Sequence, residues 1–317
     1  MDILVGHTGF VGQNLNRQYS FTATFNSKNI SDAYGTLPDL CVYCGTRAEK
    51  FRADNFPDED LAHMNETINN IRQINPKRLV LISTVDVIPS TQEADVYEDT
   101  GYNTDKLTSY GKNRLYLENE IRKTYPDALI IRLPALFGLG LKKNFIFDLI
   151  SYSPAMLRKD KFYELRGKEP LLAKFYREDV NGFYRMLPDI SPDDKVNLKK
   201  IFENLGFSAL NFTDSRSKFA FYNLDYLWGH IQKLMEVGVR LAHLTTEPIS
   251  AAEVYKGLHD KDFVNEVASQ PFDYTFFKTR HAELFGGSGA WIFGRETILK
   301  EISSFVKKHE LQSRSML

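Results

Sequence analysis

The sequence predicts an α/β fold: a Rossmann-like, doubly wound parallel sheet joined to a smaller, helix-rich lobe. The chain opens with a short apolar run and three closely spaced glycines. Further short apolar runs follow, separated by segments whose apolar residues have helical spacing. This alternation is typical of βαβ units, whose buried strands form a parallel sheet. From residue 141 the chain becomes richer in Lys, Asp and Phe, which indicates a second structural region.

The first predicted element is a strand over Ile3–Val5, followed by a glycine turn and a helix. Gly6 permits the tight turn, Gly9 allows backbone to approach a phosphate, and Gly12 allows the helix to pack close to the strand. Glycine triplets are common, but this one directly follows the first strand of the chain, where a nucleotide-binding fold begins. We therefore predict a dinucleotide site at this turn.

The second predicted strand, over 21–25, ends at Asn26, Ser27 and Lys28. In a dinucleotide fold this strand end meets the adenosine ribose, where a carboxylate binds the ribose hydroxyls and repels a 2′-phosphate. The tip carries no carboxylate, so we predict NADP as the cofactor, with Lys28 as the phosphate partner and NAD as the alternative. Lys28 could equally be a solvated lysine in a turn.

The remaining elements follow from apolar runs, helical spacing and breaker residues. Strands are predicted over 40–44, 79–84, 128–133, 219–222 and 239–244, and helices over 60–75, from 109 past 118, and over 145–150, 178–186, 225–237 and 295–308. We predict a dinucleotide-binding domain of residues 1–140 with about 216–245. A substrate-binding lobe comprises 141–215 with about 246–290, and 291–317 form a C-terminal helix.

Two cysteines, Cys41 and Cys44, have the spacing of a redox motif. They lie in an apolar strand pattern rather than at a helix N-terminus, and a three-residue step on a strand points side chains to opposite faces. We therefore predict buried core thiols.

Composition excludes several other classes of function. The chain has 40 Lys and Arg against 41 Asp and Glu, a net charge of −1, so nothing indicates a nucleic-acid surface. No apolar run approaches the roughly eighteen residues of a membrane span, and the N-terminus lacks a signal-peptide pattern. The seven histidines form no metal-ligand pattern. We expect a cytoplasmic protein without metal, membrane or nucleic-acid partners.

Several motifs in chain order are similar to those of one enzyme family. They are the Gly6, Gly9 and Gly12 turn, Asp39 before the strand ending at Gly45-Thr46, Asn65, Ser83-Thr84, Tyr110, Glu118 and the segment 132–138. Together they resemble the extended short-chain dehydrogenase/reductases, the NAD-dependent epimerase/dehydratase group that acts on nucleotide sugars. The similarity is good over 1–145 and loose beyond.

The resemblance implies a set of cofactor-binding residues. They are Gly6, Thr8, Gly9, Phe10, Val11, Gly12, Asn26, Ser27, Lys28, Gly45, Thr46, Asn65, Ser83, Tyr110, Arg114 and Pro134. It also implies a nucleotide-sugar substrate, contacted by Thr84, Asp86 and Asn144, and is compatible with a homodimer.

The implied catalytic residues are Thr84, Tyr110 and Arg114. Thr84 ends a predicted parallel strand and so lies on the ligand-binding edge of the sheet. In the family, the tyrosine hydroxyl exchanges a proton with the sugar carbinol and the Ser or Thr positions the same oxygen. A lysine four residues after the tyrosine holds the nicotinamide ribose and lowers the tyrosine pKa.

Arg114 stands where the family has that lysine, and Lys112 faces elsewhere on the helix. Arg114 shares a helix face with Tyr110, so its charge could stabilise a phenolate. Arginine is bulkier than lysine and the exchange is not conservative. The alternative is that Arg114 only forms an i,i+4 ion pair with Glu118.

Two further positions narrow the reaction. Family members that remove water from the sugar carry Asp-Glu after the catalytic Thr, whereas this chain has Val85-Asp86. Val85 cannot protonate a leaving hydroxyl, so dehydratase chemistry is not expected; Asp86 is either a substrate contact or a strand-end cap.

Asn144 follows two lysines and resembles the residue that contacts the substrate diphosphate, although a solvated basic turn is the alternative. Ala135 replaces an Asn of many relatives.

The leading hypothesis is an NAD(P)-dependent nucleotide-sugar epimerase or reductase that transfers hydride at a sugar carbon. The competing hypothesis is a non-catalytic dinucleotide-binding sensor or scaffold of the same fold, which the arginine at position 114 could indicate. The joint presence of Thr84 and Tyr110 favours the enzyme. These residues do not distinguish an epimerase from a reductase.

Overall fold

The computed structural model describes residues 1–179 and 182–315. The strands are β1 (Asp2–Val5), β2 (Ala23–Phe25), β3 (Leu40–Tyr43), β4 (Leu79–Thr84), β5 (Leu129–Leu133), β6 (Ala135–Phe137), β7 (Met156–Arg158), β8 (Tyr176–Glu178), β9 (Phe183–Met186), β10 (Lys218–Phe219), β11 (Phe221–Asn223), β12 (Leu241–His243) and β13 (Ile249–Ser250). The α-helices are α1 (Phe10–Gln18), α2 (Lys50–Asn55), α3 (Pro57–Ile74), α4 (Ser109–Thr124), α5 (Phe145–Ser151), α6 (Lys159–Lys168), α7 (Leu172–Phe175), α8 (Pro192–Leu205), α9 (Leu227–Glu236), α10 (Ala251–His259) and α11 (Arg295–Ser315).

The main sheet has six strands in the order β12-β5-β4-β3-β1-β2. The neighbouring strands run parallel throughout. From β1 the chain adds β2 on one side and then β3, β4 and β5 on the other. This reversal defines a doubly wound sheet and confirms the predicted α/β fold. All carboxyl ends of these strands lie on one edge, where ligands bind in such folds.

Alternate residues of the strands pack on opposite faces of this sheet. Leu4 and Val42 belong to one buried apolar cluster, whereas Ile3 and Cys41 belong to the other. Cys44 packs against the first cluster, so the two cysteines point to opposite faces, as predicted. Both thiols are free, but only Cys41 is fully buried; Cys44 is half-buried and its thiol donates to the carbonyl oxygen of Val5 at 3.0 Å, so the prediction of buried thiols holds for Cys41 only. Desolvation raises the pKa of both thiols, that of Cys44 to about 12. A thiol with so high a pKa is unreactive at neutral pH.

The chain divides into two compact units. The sheet unit comprises Met1–Leu141, Lys218–Ile249 and Phe272–Ile298. The second unit comprises Lys142–Ser217, Ser250–Pro271 and Leu299–Leu317. Of the predicted parts, residues 180 and 181 of the lobe and 316 and 317 of the C-terminal helix lie outside the described residues.

The second unit contains a small antiparallel sheet in the order β7-β9-β8. The predicted helix over 178–186 is therefore wrong: its ends belong to β8 and β9. Tyr184 is buried and its ring stacks on Phe162 at 3.8 Å, whereas the next residue, Arg185, is exposed. This alternation of buried and exposed side chains is that of a strand.

The predicted strand over 219–222 is divided in the structure. Lys218–Phe219 and Phe221–Asn223 form separate strands, and the second pairs in parallel with β6 rather than with the main sheet. The predicted last strand of the main sheet is confirmed, because β12 pairs with β5 at its edge. None of the described helices has both the length and the apolar character needed to cross a bilayer.

Candidate active site

The turn between β1 and α1, residues 6–12, is packed too closely for side chains at two of its glycines. Gly6 has a φ of +90°, and a Cβ there would lie 2.6 Å from the Cα of Gly45. A Cβ on Gly12 would lie 2.1 Å from the carbonyl oxygen of Gly6. Gly9 is less constrained, since its Cβ would lie 3.3 Å from the same oxygen. We call these residues the glycine turn.

The glycine turn leaves the start of α1 accessible. Gly9 is the N-cap and forms no side-chain cap, and Thr8 and Gly9 are exposed, with Phe10 and Val11 half-buried. The first amides of a helix have no partner within the helix and attract anions. This arrangement fits a dinucleotide pyrophosphate.

A buried polar atom lies beside this turn. The hydroxyl of Thr46, just after β3, is buried without a hydrogen-bond partner within the described protein. Because buried polar atoms are nearly always hydrogen-bonded, this hydroxyl is suited to a ligand contact. Thr46 and its neighbour Gly45 are two of the predicted cofactor residues.

The β2 tip is a closed turn with exposed side chains. The amide of Asn26 donates to the Asn29 side chain at 2.8 Å, and the amide of Lys28 donates to the Asn26 side chain at 2.9 Å. The side chains of Ser27 and Lys28 are exposed. The turn therefore presents a hydroxyl and an ammonium group without a carboxylate, as the NADP prediction requires.

Thr84 ends β4 and is hydrogen-bonded to Asp86. Its hydroxyl donates to Asp86 Oδ2 at 2.7 Å and accepts from the Asp86 amide at 3.2 Å. The other carboxylate oxygen, Oδ1, accepts from Lys50 Nζ at 2.6 Å. Asp86 thus joins Thr84, which caps the 3-10 turn after β4, to a lysine from α2, and its two predicted roles, substrate contact or strand-end cap, stay predictions.

Tyr110 lies in the first turn of α4, next to a glycine that packs on the segment after this strand end. Its amide donates to Asp54 at 2.9 Å, and Thr108 caps the helix. A Cβ on Gly111 would lie 2.2 Å from the carbonyl oxygen of Asp86. Only glycine at this position lets α4 pack directly on the 3-10 turn after Thr84.

Arg114 contacts Tyr110 but does not pair with Glu118. Its guanidinium lies 3.9 Å from the centroid of the Tyr110 ring. One guanidinium nitrogen forms a buried ion pair with Asp60, and the other donates to the carbonyl oxygen of Arg47. The predicted alternative, an ion pair with Glu118, is therefore wrong.

Glu118 instead belongs to a separate buried network. It is fully buried and pairs with Arg132 at 2.7 Å and with Arg122 at 2.9 Å. The Ser83 hydroxyl donates to the same carboxylate at 2.6 Å. The hydroxyl of Ser83 is thus used inside the protein, and a cofactor contact by this residue stays a prediction.

The pKa of Tyr110 lies above its ordinary value in this structure. Burial raises it, the Arg114 charge lowers it, Asp86 raises it and Lys50 lowers it. We expected from the sequence that Arg114 would lower the tyrosine pKa. Its charge acts in that direction, but the burial of Tyr110 outweighs it.

The other predicted site residues lie on several different elements. Asn65 is exposed on α3 and accepts a hydrogen bond from the Tyr116 hydroxyl at 3.0 Å. Pro134 is half-buried between β5 and β6. Asn144 belongs to the second unit and caps α5 by accepting from the Phe147 amide at 3.2 Å. These roles in ligand binding stay predictions.

Residues that were not expected from the sequence complete the surroundings of Tyr110. They are Lys50, Asp54, Asp60, Gly111 and Tyr274, the last of which interacts electrostatically with Lys50 and Tyr110. One signal was available: the segment after a parallel strand lies at the ligand edge, so the charged residues that follow Thr46 were candidates. We name Lys50, Asp60, Thr84, Asp86, Tyr110 and Arg114 the Tyr110 cluster.

No protein-family model matches the chain, and no curated protein sequence matches it. Solved structures do match. A dTDP-4-dehydrorhamnose reductase from Bacillus anthracis, in complex with NADP, is 16% identical with a TM-score of 0.61, over 97% of this chain and 99% of that one. RMD from Pseudomonas aeruginosa, complexed with NADPH, is 15% identical with a TM-score of 0.60, over 98% and 99%.

A third structure is a UDP-N-acetylglucosamine 4-epimerase from Methanobrevibacter ruminantium. It is 11% identical with a TM-score of 0.61, over 98% of this chain and all of that one. At such identities the similarity establishes the fold. The chain has the Rossmann-type fold of these enzymes, as the resemblance noted from its motifs implied.

Proposed function

We propose that the protein is an NAD(P)-dependent oxidoreductase or epimerase that acts on a nucleotide sugar. The observation that carries this proposal is the position of Tyr110 in the first turn of α4, where the next residue, Gly111, packs on the carbonyl of Asp86, two residues after Thr84 at the carboxyl end of β4. The glycine turn follows β1 in the same parallel sheet, so both features lie on its ligand edge. The solved structures of similar fold include a reductase and an epimerase of nucleotide sugars.

The bound nicotinamide would supply or accept a hydride at the sugar carbon. In reduction, the Tyr110 hydroxyl gives its proton to the carbonyl oxygen as that oxygen gains charge; in oxidation, the tyrosinate takes the carbinol proton. The Thr84 hydroxyl would hold the same oxygen by turning its proton from the Asp86 carboxylate to the carbonyl oxygen, or by accepting from the carbinol in oxidation. Asp86 orients Thr84 by accepting its hydrogen bond.

The cofactor is proposed to be NADP, with NAD as the alternative. The exposed Lys28 at the β2 tip supports a 2′-phosphate, and two of the similar structures hold NADP or NADPH. The residues that line the pyrophosphate are those of the glycine turn with Gly45 and Thr46. This assignment is supported by Gly6 and Gly12, where an added Cβ would collide with backbone atoms.

The remaining parts of the proposal concern substrate and assembly. Residues 141–215 with about 246–290 bind the sugar nucleotide, and Asn144 contacts its diphosphate. The protein acts in the cytoplasm, without nucleic-acid or membrane partners, as a homodimer. The competing function is a dinucleotide-binding sensor. The ion pair between Arg114 and Asp60 favours it, because Asp60 offsets the charge of the residue that stands in the place of the family lysine.

Mass spectrometry of the nucleotide that co-purifies with the protein is the first test. Next comes a screen of UDP-, GDP-, CDP- and dTDP-sugars with NADPH and NADH. A cofactor that stays bound through turnover identifies an epimerase, and one that exchanges freely identifies a reductase. Dinucleotide binding without turnover of any sugar in the screen would favour the sensor and contradict the enzyme.

A further inference from the structure

Two positive charges lower the pKa of Tyr110, that of Arg114 and, to a smaller extent, that of Lys50. Arg114 is already paired: its side chain is 3% exposed and that of its partner Asp60 is 9% exposed. Its other nitrogen donates to the carbonyl of Arg47. The guanidinium is therefore fixed against the face of the Tyr110 ring, and Asp60 offsets part of its charge.

Lys50 is placed differently. Its Nζ lies 5.9 Å from the centroid of the Tyr110 ring and 2.6 Å from Asp86 Oδ1. The side chain is 54% exposed, so the ammonium can reorient. An ammonium has three donors, and Asp86 accepts from one of them. Burial works against this charge, but Tyr274, Asp86 and Tyr110 favour it and raise the pKa of Lys50 above its usual value.

We propose, on the basis of the function proposed above, that Lys50 supplies a second positive charge that stabilises the Tyr110 tyrosinate, in addition to that of Arg114, which also holds the ring. A lysine from the start of α2 thus takes over part of the role of the lysine expected on the Tyr110 helix. Both residues act through Tyr110 and are positioning residues. Asp86 sets the strength of the Lys50 effect, since it binds the same ammonium.

The step that depends on Lys50 is the transfer of the Tyr110 proton. As the sugar carbonyl accepts hydride from the reduced nicotinamide, its oxygen takes the Tyr110 proton; the phenolic O–H bond breaks and a tyrosinate remains. The ammonium of Lys50 lowers the energy of that anion. In the oxidation direction the same charge helps to form the tyrosinate that removes the carbinol proton.

The groups that face Tyr110 come from several elements. They are Arg114 on α4, Lys50 and Asp54 on α2, Asp60 on α3, Asp86 after β4, and Tyr274. Arg114 and Asp60 form one buried pair and Lys50 and Asp86 a second, more exposed one. The second pair can be altered on either side without opening the core, and its two members act on the pKa of Tyr110 with opposite signs.

The primary test measures the ionisation of Tyr110 in the cofactor-free protein, so it does not depend on turnover. The tyrosinate absorbance of each variant is titrated, and the titration of the same variant with Tyr110→Phe is subtracted. Lys50→Met should raise the pKa of Tyr110 by about one unit, the lower end of the effect of a nearby charge. Lys50→Arg should leave it near the wild-type value, and Asp86→Asn should lower it.

Lys112→Met is the matched control, because Lys112 lies on the same helix turn and is exposed. It should leave the pKa of Tyr110 unchanged. Equal titrations for Lys50→Met and Lys112→Met would overturn the proposal. Damage to the fold would not shift the pKa in opposite directions for Lys50→Met and Asp86→Asn, and NMR of tyrosine labelled at Cζ gives a second measure of the same pKa.

A kinetic test follows once a substrate is known. Oxidation requires the tyrosinate, so kcat rises with pH through the pKa of Tyr110. In Lys50→Met the midpoint of this rise should move to a pH about one unit higher. Below that midpoint, kcat should be roughly tenfold lower than in the wild type, and raising the pH should restore it. A loss that no pH restores would contradict the proposal. If wild-type protein turns over no sugar, the proposed function fails, whereas the titration still decides the role of Lys50.

Discussion

The glycine turn and the Tyr110 cluster lie on the same edge of one sheet, but different forces shape them. In the glycine turn the constraint is steric, since backbone atoms occupy the space a Cβ would need at Gly6 and Gly12. In the Tyr110 cluster the constraint is electrostatic, since two ion pairs surround one phenol. Where the backbone leaves no room for a Cβ, only glycine fits and the motif is fixed, whereas a charge can be supplied by any segment that reaches the site.

Tyr110→Phe should have the largest effect of the substitutions compared here, and it should affect only the chemical step. Removing the hydroxyl should lower kcat by about two to four orders of magnitude, the usual contribution of general acid–base catalysis. The ring that contacts Arg114 is retained, so NADPH affinity and thermal stability should stay near wild type. Steady-state kinetics and a binding titration with the same preparation check both expectations. Unchanged turnover would remove Tyr110 from the mechanism.

Gly12→Ala should weaken NADPH binding, which Tyr110→Phe should leave near wild type. Its Cβ would lie 2.1 Å from the Gly6 carbonyl oxygen, and overpacking of this kind costs up to about 3 kcal/mol of stability. If the start of α1 shifts to relieve the clash, we expect a comparable loss of NADPH binding free energy, roughly a hundredfold in affinity. NADPH titration by fluorescence measures the loss. Gly101→Ala is the control, because nothing lies within 4 Å of its added Cβ. Tight NADPH binding by Gly12→Ala would contradict the steric interpretation.

Arg114→Met tests the buried ion pair of Arg114 with Asp60 without changing the exposed pair of Lys50 with Asp86. The substitution leaves the buried Asp60 carboxylate without its ion-pair partner, with the Asn113 side chain still donating to it, which should cost about 3 kcal/mol of stability. The double variant Asp60→Leu with Arg114→Met should recover much of that loss, since no buried charge remains. Chemical denaturation followed by circular dichroism compares the three proteins. Full stability of Arg114→Met would show that Asp60 finds another partner or is solvated.

Lys28→Glu tests the β2 tip and should have the smallest effect. A carboxylate there would repel a 2′-phosphate and should turn a preference for NADPH into one for NADH, by about tenfold. Dissociation constants of the wild type and the variant for both cofactors measure the change. Wild-type binding of NADH that is tenfold tighter than that of NADPH would contradict the cofactor proposal. The glycine turn should be unaffected, so the total affinity for the preferred cofactor should be similar.

Prediction from the sequence succeeded where the physical requirement was local. Apolar runs predicted the strands of the main sheet, and a two-residue period placed Cys41 and Cys44 on opposite faces. It failed over 178–186, where a short charged and aromatic segment gave no clear period and packing on Phe162 selected a strand. The division of 219–222 was also missed, because pairing with β6 joins residues far apart in the chain.

The sequence by itself determined the doubly wound fold, the glycine turn and the shared helix face of Tyr110 and Arg114, because sterics and periodicity act between near neighbours. Only the tertiary structure decided which charges meet. Lys50 and Asp86 are 36 residues apart, and Asp60 and Arg114 are 54 apart. Nothing in the residue types distinguishes Glu118 from Asp60 as the partner of Arg114. The packing of α3 and α4 made that choice, since it brought Asp60 to the guanidinium while Arg132 and Arg122 took Glu118.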